Sequence, residues 1–452
     1  MKPAHVPFTL GEWLVQPQLN RLSRPSDGDV QLEPKMMDVL VCLARSPGDV
    51  VSREALIDAV WPEVFISESV LTRAIAGLRR ALGDDARRPS FIETIAKRGY
   101  RLIGPAAPVP AAPDAIQAMG FPGGSYVVGQ WVRAEGFYGR SAQLAEVLDG
   151  PRNGFWVVGT RRRGKTSFLK QLEHVAITQP ARGLVPVFWD LQGVDDLDAL
   201  AFSFEEAVAD AESRLVDAGL TLDEIVDTDV FRMLGTLRRR LNADGRELFL
   251  LCDEAEALRT LAEQSEAVIG RLRRALLAQD GLRTVLASGP RLWDLATGSA
   301  TSPFLDGFLP PLYLGRLRPE TSCDLIRQHH LSDGQRPELT DAEVEAICHW
   351  GGGHPFLLQL LSKRAIEHGG VDRAVAAVAG DRSVTSLFEV DLDLLDDEQR
   401  AILQSMVGLS EPRIGTDSPA LLELERLGLV ERADGRDLQI GLRFLADWLA
   451  GK

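Results

Sequence analysis

Residues 159–167 read Gly-Thr-Arg-Arg-Arg-Gly-Lys-Thr-Ser, a complete G-x-x-x-x-G-K-[ST] loop. The apolar run Phe155-Trp156-Val157-Val158 precedes it, and Phe168-Leu169-Lys170-Gln171-Leu172 follows as the opening of a helix. A strand, a glycine loop and a helix in that order commit this part of the chain to an α/β arrangement. Further apolar strands at 184–191, 247–252, 283–288 and 311–314 alternate with helical segments, which implies a parallel sheet with helices on both faces. The glycines let the backbone curl so that its N–H groups point at phosphates. Lys165 adds a point charge, Thr166 offers a hydroxyl to Mg²⁺, and the helix N-terminus favours the anion. Gly159, Arg163, Gly164, Lys165, Thr166 and Ser167 are therefore expected to hold ATP. The alternative is a plain Gly-rich turn between strand and helix.

Arg246-Glu247-Leu248-Phe249-Leu250-Leu251-Cys252-Asp253-Glu254 is an apolar strand ending in adjacent carboxylates. Asp253 is placed to hold the Mg²⁺ shell together with Thr166, and Glu254 to polarise an attacking water, with Lys165 on the phosphates. Such a pair also arises as helix-capping carboxylates; the phosphate loop upstream favours the catalytic reading. At the end of the next strand, Ser288 or Arg291 is placed to sense a γ-phosphate, or the segment is an ordinary strand-end turn.

The chain has 452 residues, enough for roughly three domains at about 150 residues each. No apolar run approaches the roughly 18–20 residues that span a bilayer, and the N-terminus lacks a signal pattern, so a cytoplasmic protein without membrane contact is expected. The four cysteines are scattered and read as buried thiols, and the histidines lack metal spacing, His329-His330 reading as a solvated helix end. A net charge of −15 argues against nucleic acid until it is read by segment. Residues 73–101 carry Arg73, Arg79, Arg80, Arg87, Arg88, Lys97, Arg98 and Arg101 against Asp84, Asp85 and Glu93, a basic patch of the kind a duplex backbone selects.

The run Gly104-Pro105-Ala106-Ala107-Pro108-Val109-Pro110-Ala111-Ala112-Pro113 reads as an extended spacer unable to build helix or ladder. The boundaries expected are 8–104 for a first domain, 105–130 for the linker, and 131–315 for the α/β core. A helical segment at 316–376 and a C-terminal domain at 377–452 complete the chain. In the first domain, short strands at 8–14, 19–22 and 30–32 precede helical patterns at 35–46, after a Ser52 cap, and after a Ser67 cap. A final hairpin, 91–95 with 99–102, turns at Ala96-Lys97-Arg98. Helix-turn-helix plus a β-wing is the implied architecture. With Leu71, Ile75, Leu78 and Leu82 facing the core, the third helix presents Ser69, Thr72, Arg73, Ala76, Arg79 and Arg80. Docked in a major groove, Thr72 and Arg73 would reach base edges, Arg79 and Arg80 phosphates, and Lys97 or Arg98 the neighbouring minor groove. The competing reading is a solvated basic face.

Together, Trp13-Leu14-Val15, Leu32-Glu33-Pro34-Lys35, Val50-Val51-Ser52-Arg53-Glu54-Ala55-Leu56, Ala59-Val60-Trp61, Leu78-Arg79-Arg80-Ala81-Leu82-Gly83-Asp84 and Ile92-Glu93-Thr94-Ile95-Ala96-Lys97-Arg98-Gly99-Tyr100-Arg101-Leu102 resemble the OmpR/PhoB-type winged-helix output domain of bacterial transcriptional regulators. The resemblance implies a reading helix from Ser67 to Leu82 on double-stranded DNA and an RNA polymerase contact near Trp61–Ile66. At Ala76 and Gly77 the chain departs from relatives that carry long basic side chains there. No receiver domain precedes the winged helix, so aspartyl phosphate is not the expected input.

Phe137-Tyr138-Gly139-Arg140, the phosphate loop, the Asp253-Glu254 strand and Gly351-Gly352-Gly353-His354-Pro355-Phe356-Leu357-Leu358 resemble the AAA-related STAND class of signalling ATPases and archaeal-type ATPases of the same clade. The resemblance implies that Gly139 and Arg140 border the adenine and that Pro355 lies in a helical lid touching the nucleotide. It also implies a winged-helix-like C-terminal domain; Gly351–Gly353 alternatively ends a helix. No sensor repeats follow, which leaves the stimulus open. The combined expectation is an ATP-switched transcriptional regulator working as a slow ATPase, with homo-oligomerisation plausible. The alternatives are a DNA-processing, initiator-like ATPase and a signalling platform that recruits an effector.

Overall fold

The computed structural model describes residues 8–17, 21–24, 28–32, 34–44, 48, 50–60, 68–84, 88–95, 98–103, 106–108, 126–225, 229–277, 280–297, 303–332, 334–409, 418–433 and 437–451. Two compact units divide the chain, Met1–Pro122 and Gly123–Lys452.

In the first unit, β1 (Phe8–Leu10), β2 (Trp13–Gln16), β3 (Arg21–Arg24) and β4 (Gly28–Gln31) form an antiparallel meander. Three helices follow, α1 (Pro34–Ala44), α2 (Arg53–Val60) and α3 (Glu68–Leu82), with β5 (Val50–Ser52) before α2. The sheet β5-β7-β6 closes the unit with β6 (Ile92–Ile95) and β7 (Gly99–Leu102) as a hairpin. Ser52 caps α2 as its sequence implies, its Oγ accepting the Ala55 N–H at 3.0 Å. Leu71, Ile75, Leu78 and Leu82 are buried together with Leu40, Leu56 and Tyr100. At Gly77 of α3, a Cβ would lie 2.4 Å from Met36 Sδ of α1, so a larger residue there would require that flexible side chain to shift.

The spacer expectation needs two corrections. Ala106–Pro108 is a strand, β8, pairing antiparallel with β1 and extending the meander. A proline is tolerated there because β8 is an edge strand, where a missing N–H costs no ladder bond. At the other end, Tyr126 is buried and donates its hydroxyl to the Ile326 carbonyl, while Val127 N–H donates to Gln359 Oε1 at 2.8 Å. Residues 126–130 thus belong to the second unit.

The second unit is built on a five-stranded parallel sheet in the order β10-β11-β12-β9-β13. Its strands are β9 (Gly154–Val158), β10 (Leu184–Asp190), β11 (Glu247–Asp253), β12 (Leu282–Ser288) and β13 (Leu312–Tyr313). All five residues of β9 are buried because helices cover both faces. Phe155 and Val157 pack on the helix Lys165–Thr178, whereas Trp156 and Val158 face Trp189, Phe204 and the opposite layer. Helices Pro319–Arg327, Asp341–Gly351, Pro355–His368 and Val371–Ala379 follow the sheet, then Arg382–Asp393, Asp397–Met406, Pro419–Leu427 and Arg443–Ala450. The hairpin β14 (Val430–Ala433) and β15 (Asp437–Ile440) precedes the last helix.

Gly99 offers a direct test of the wing's backbone. Its φ is +150°, and a Cβ would sit 2.0 Å from the Val51 carbonyl oxygen of the neighbouring strand. Gly99→Ala is expected to destabilise the first unit by more than about 2 kcal/mol. Urea-dependent amide exchange across 92–102 checks this, and unchanged protection would contradict the close approach.

Candidate functional site

On the first unit, Ala76, Arg80 and Arg98 are exposed. Arg79 is engaged within its own unit. Its half-buried Nη2 donates to the Ile92 carbonyl at 2.7 Å and to Thr94 Oγ1 at 2.8 Å, with Nε on the same carbonyl at 3.3 Å. The reading helix is therefore clamped to the hairpin by a side chain that sequence spacing assigned to DNA. Asp84, just beyond α3, adds a second clasp. Its carboxylate accepts N–H bonds from Ser90 (2.6 Å) and Ile92 (2.8 Å). The side chains of Ser69, Thr72 and Arg73, the wing residue Lys97, the Ser67 cap and the Trp61–Ile66 loop lie outside the described residues.

In the second unit, β9 runs into the phosphate loop, and the helix Lys165–Thr178 starts at its end. Gly164 takes the left-handed φ of +89° that the turn requires. Arg162 is also left-handed at +55°, as are Arg140 (+61°) and Glu254 (+50°). These three are non-glycine residues in a region that costs energy and that clusters at functional sites. Lys165 Nζ donates to the Gly159 and Thr160 carbonyls at 3.1 and 3.3 Å. Thr166 Oγ1 donates to Asp253 Oδ2 at 2.6 Å, and Glu254 N–H donates to Asp253 Oδ1 at 3.1 Å. Burial pushes the Asp253 carboxyl up to about 6, with the Glu254 charge adding to the rise. Glu254 itself is raised by desolvation and by Glu256. A hydroxyl bonded to a carboxylate, beside an ammonium held only by loop carbonyls, is a donor set that suits a hydrated Mg²⁺ and the phosphates it neutralises. Ser167 is buried, and its Oγ accepts the Val132 N–H at 3.1 Å.

Several expected residues have other partners. The Arg163 side chain is 1% exposed. It donates through Nη2 to the Gly428 carbonyl at 3.1 Å, and burial lowers its pKa to about 9. Arg140 donates to the Gly315 carbonyl at 2.5 Å, and burial lowers its pKa to about 10. It lines a cleft of about 510 Å³ with Tyr313, Arg316, Glu425, Arg426 and Glu431. Gly139 sits beside it at φ +77° against Thr321. The Ser288 hydroxyl is engaged within the sheet. It is buried, accepts from Trp156 Nε1 at 2.7 Å and donates to the Gly289 carbonyl at 2.9 Å. Arg291 is exposed just past β12. Gly352 ends the helix Asp341–Gly351 in a left-handed cap, and Pro355 opens the next helix behind fully buried His354. That second helix reaches the loop through Phe356, over whose ring the Arg162 guanidinium lies at 4.1 Å.

Sequence reasoning missed Asp391. This residue of the helix Arg382–Asp393 is 2% exposed, and its Oδ1 accepts the N–H of Arg161, inside the phosphate loop, at 2.9 Å. An aspartate in a helical pattern carries no signal of a partner 230 residues away.

Residues 27–102 match the family model described as "Transcriptional regulatory protein, C terminal". The chain is 43% identical over 97 residues to the transcriptional activator CadC of Escherichia coli, covering 21% of this chain and 19% of that protein. It is 40% identical over 90 residues to the transcriptional regulator HilA of Salmonella typhimurium, covering 20% and 16%. The chain thus spans no more than about a fifth of the length of these relatives. Among solved structures, the Walker-type ATPase paby2304 of Pyrococcus abyssi aligns over 71% of this chain and 97% of its own. The TM-score is 0.51 at 16% identity, a likeness of fold. Residues 27–102 thus resemble the C-terminal domains of transcriptional regulatory proteins, and 71% of the chain shares the fold of a Walker-type ATPase.

Proposed function

We propose that the protein is a DNA-binding transcriptional regulator whose second unit binds ATP with Mg²⁺ and changes conformation with nucleotide state. The observation that carries the reading is the convergence of Lys165, Thr166, Asp253 and Glu254 at one edge of the sheet, on a chain whose first unit is a regulator-family winged helix. Bound Mg²⁺ would supply charge neutralisation for the phosphates. Lys165 would turn from the loop carbonyls to a phosphate, and Thr166 and Asp253 would exchange their mutual hydrogen bond for the metal's shell. Glu254 would orient a water and take its proton. Arg140, Gly139 and Pro355 then border the nucleotide, and Arg291 is the remaining candidate γ-phosphate contact. The signalling-ATPase subclass, the C-terminal winged-helix-like domain, oligomerisation and an RNA polymerase contact belong to the same reading. Its support for the C-terminal domain is the succession of Asp397–Met406, Pro419–Leu427 and the β14–β15 hairpin. No described helix is long and apolar enough to cross a membrane, which is compatible with action on DNA in the cytoplasm.

On DNA, α3 would enter the major groove and the wing tip the minor groove. Ser69, Thr72, Arg73 and Ala76 would lie on the base side, and Arg80, Lys97 and Arg98 on phosphates. Arg79 would act by holding helix and hairpin in register. A DNA-processing ATPase is the second reading, since the fold likeness to a Walker-type ATPase serves it equally.

Lys165→Ala is expected to weaken ATP binding by about 30- to 100-fold, the loss of one charge-assisted contact. Glu254→Gln should keep binding and lose phosphate release. Titration with a labelled ATP analogue and a phosphate-release assay separate the two. Undiminished affinity in the lysine variant would remove the site.

Selection of bound sequences from randomised duplexes should recover one enriched motif for the full chain. Arg73→Ala should relax preference at one position at a cost of about 1–3 kcal/mol. Arg80→Ala or Arg98→Ala should weaken all sequences evenly and reduce the salt slope by about 1. Arg79→Ala should instead lower the first unit's stability by about 1–2 kcal/mol. Recovery of no motif, with ATP turnover stimulated by any duplex, would replace the regulator reading by the DNA-processing one.

A further inference from the structure

The phosphate loop is already engaged by an anion from its own chain. Asp391 projects from the helix Arg382–Asp393 and accepts the Arg161 N–H at 2.9 Å. Burial raises the Asp391 carboxyl above its ordinary value, while the Arg161 N–H and the Arg163 and Lys165 charges draw it back toward the charged form. Arg163 completes the arrangement from the loop side by donating to the Gly428 carbonyl at the start of the C-terminal hairpin. Fully buried His354 lies beside them, kept neutral by burial and by the Arg163 charge. One buried polar cluster thus joins the loop to the lid-like helices and to the C-terminal helix and hairpin.

A negative charge is therefore seated against the loop whose N–H groups and ammonium are arranged to receive a polyphosphate. Two anions at that place repel each other in a poorly solvated setting, where their interaction is far stronger than in water. From this geometry we infer that Asp391 is an autoinhibitory latch: its carboxylate holds the phosphate loop, and a nucleoside triphosphate and the seated helix Arg382–Asp393 compete for it. The inference rests on the reading of residues 159–167 as a nucleotide loop. When the latch is closed in most molecules, apparent nucleotide affinity is reduced by the open fraction. Binding would displace the helix, and with it the hairpin that Arg163 tethers. Binding energy would thereby be coupled to the position of the C-terminal elements.

The test uses the full chain with Mg²⁺ and a labelled non-hydrolysable ATP analogue. Asp391→Asn keeps shape and the acceptor oxygen but removes the charge, and it should tighten binding by at least about fivefold. Asp391→Ala, which also removes the acceptor, should bind at least as tightly as Asp391→Asn. Asp393→Asn, an exposed charge on the same helix, should bind as the parent does. Amide exchange of the unaltered chain is the second measurement, and it needs no variant to fold. Residues 382–393 should lose protection when the analogue binds. Equal or weaker binding by both Asp391 variants, or unchanged or increased protection of 382–393 on binding, overturns the latch while leaving the nucleotide site intact. Failure of the parent and of every variant to bind overturns the nucleotide reading itself.

Discussion

The hydrogen bond from Thr166 to Asp253 exists because a parallel sheet delivers the ends of its strands to a single edge. Thr166 follows β9 and Asp253 ends β11, yet β12 lies between them. Their meeting depends on register: Val158 lies opposite Ser288, and Leu286 opposite Cys252. Trp156 secures that alignment from below by donating to the Ser288 hydroxyl. A shift of one residue in β12 would turn Trp156 and Ser288 to opposite faces and separate hydroxyl from carboxylate. The left-handed residues Arg162 and Glu254 are tolerated at the same edge because the strands beneath them are fully buried and cannot relax.

The parts legible in the sequence are those whose chemistry is local. The phosphate loop is contiguous, the β9 and β11 strands are continuous apolar runs, and the heptad-like spacing of Leu71, Ile75, Leu78 and Leu82 fixes which face of α3 is buried. Ser52 caps α2 through an N–H three residues on. The parts missed are long-range. Arg79 looks like a free basic residue until Ile92 and Thr94 arrive beside it, and Ser288 looks like a strand-end hydroxyl until Trp156 does. Ala106–Pro108 resembles a pure spacer because composition says nothing about the empty edge of β1. The Asp391 contact joins segments that no pattern relates.

Burying Arg163 is costly, since a desolvated guanidinium loses its hydration unless charge and acceptors replace it. Partial replacement comes from the Asp391 charge and the Gly428 carbonyl, both from the C-terminal part of the chain, while the buried Nη1 has no hydrogen-bond partner. The loop therefore cannot be described as a finished site to which other elements were added. Its middle residues use their backbone for one partner and their side chains for another, which makes the surrounding helices part of the loop's own electrostatics. Nearby, Arg316 reinforces the junction by donating to the Gly352 carbonyl at 2.6 Å and pairing with Glu431.

The clamp formed by Arg79 has a mechanical meaning. A helix and a hairpin joined only by a turn are free to rock, and two probes that rock measure a groove poorly. Three hydrogen bonds from one guanidinium to two residues of β6 make them the fixed jaws of a caliper. The spacing between the jaws then becomes a property of the protein and not of the duplex it meets. Were α3 and the hairpin to dock as proposed, a duplex whose grooves did not match that spacing would have to bend or be refused, and groove width would be read even where no base is touched.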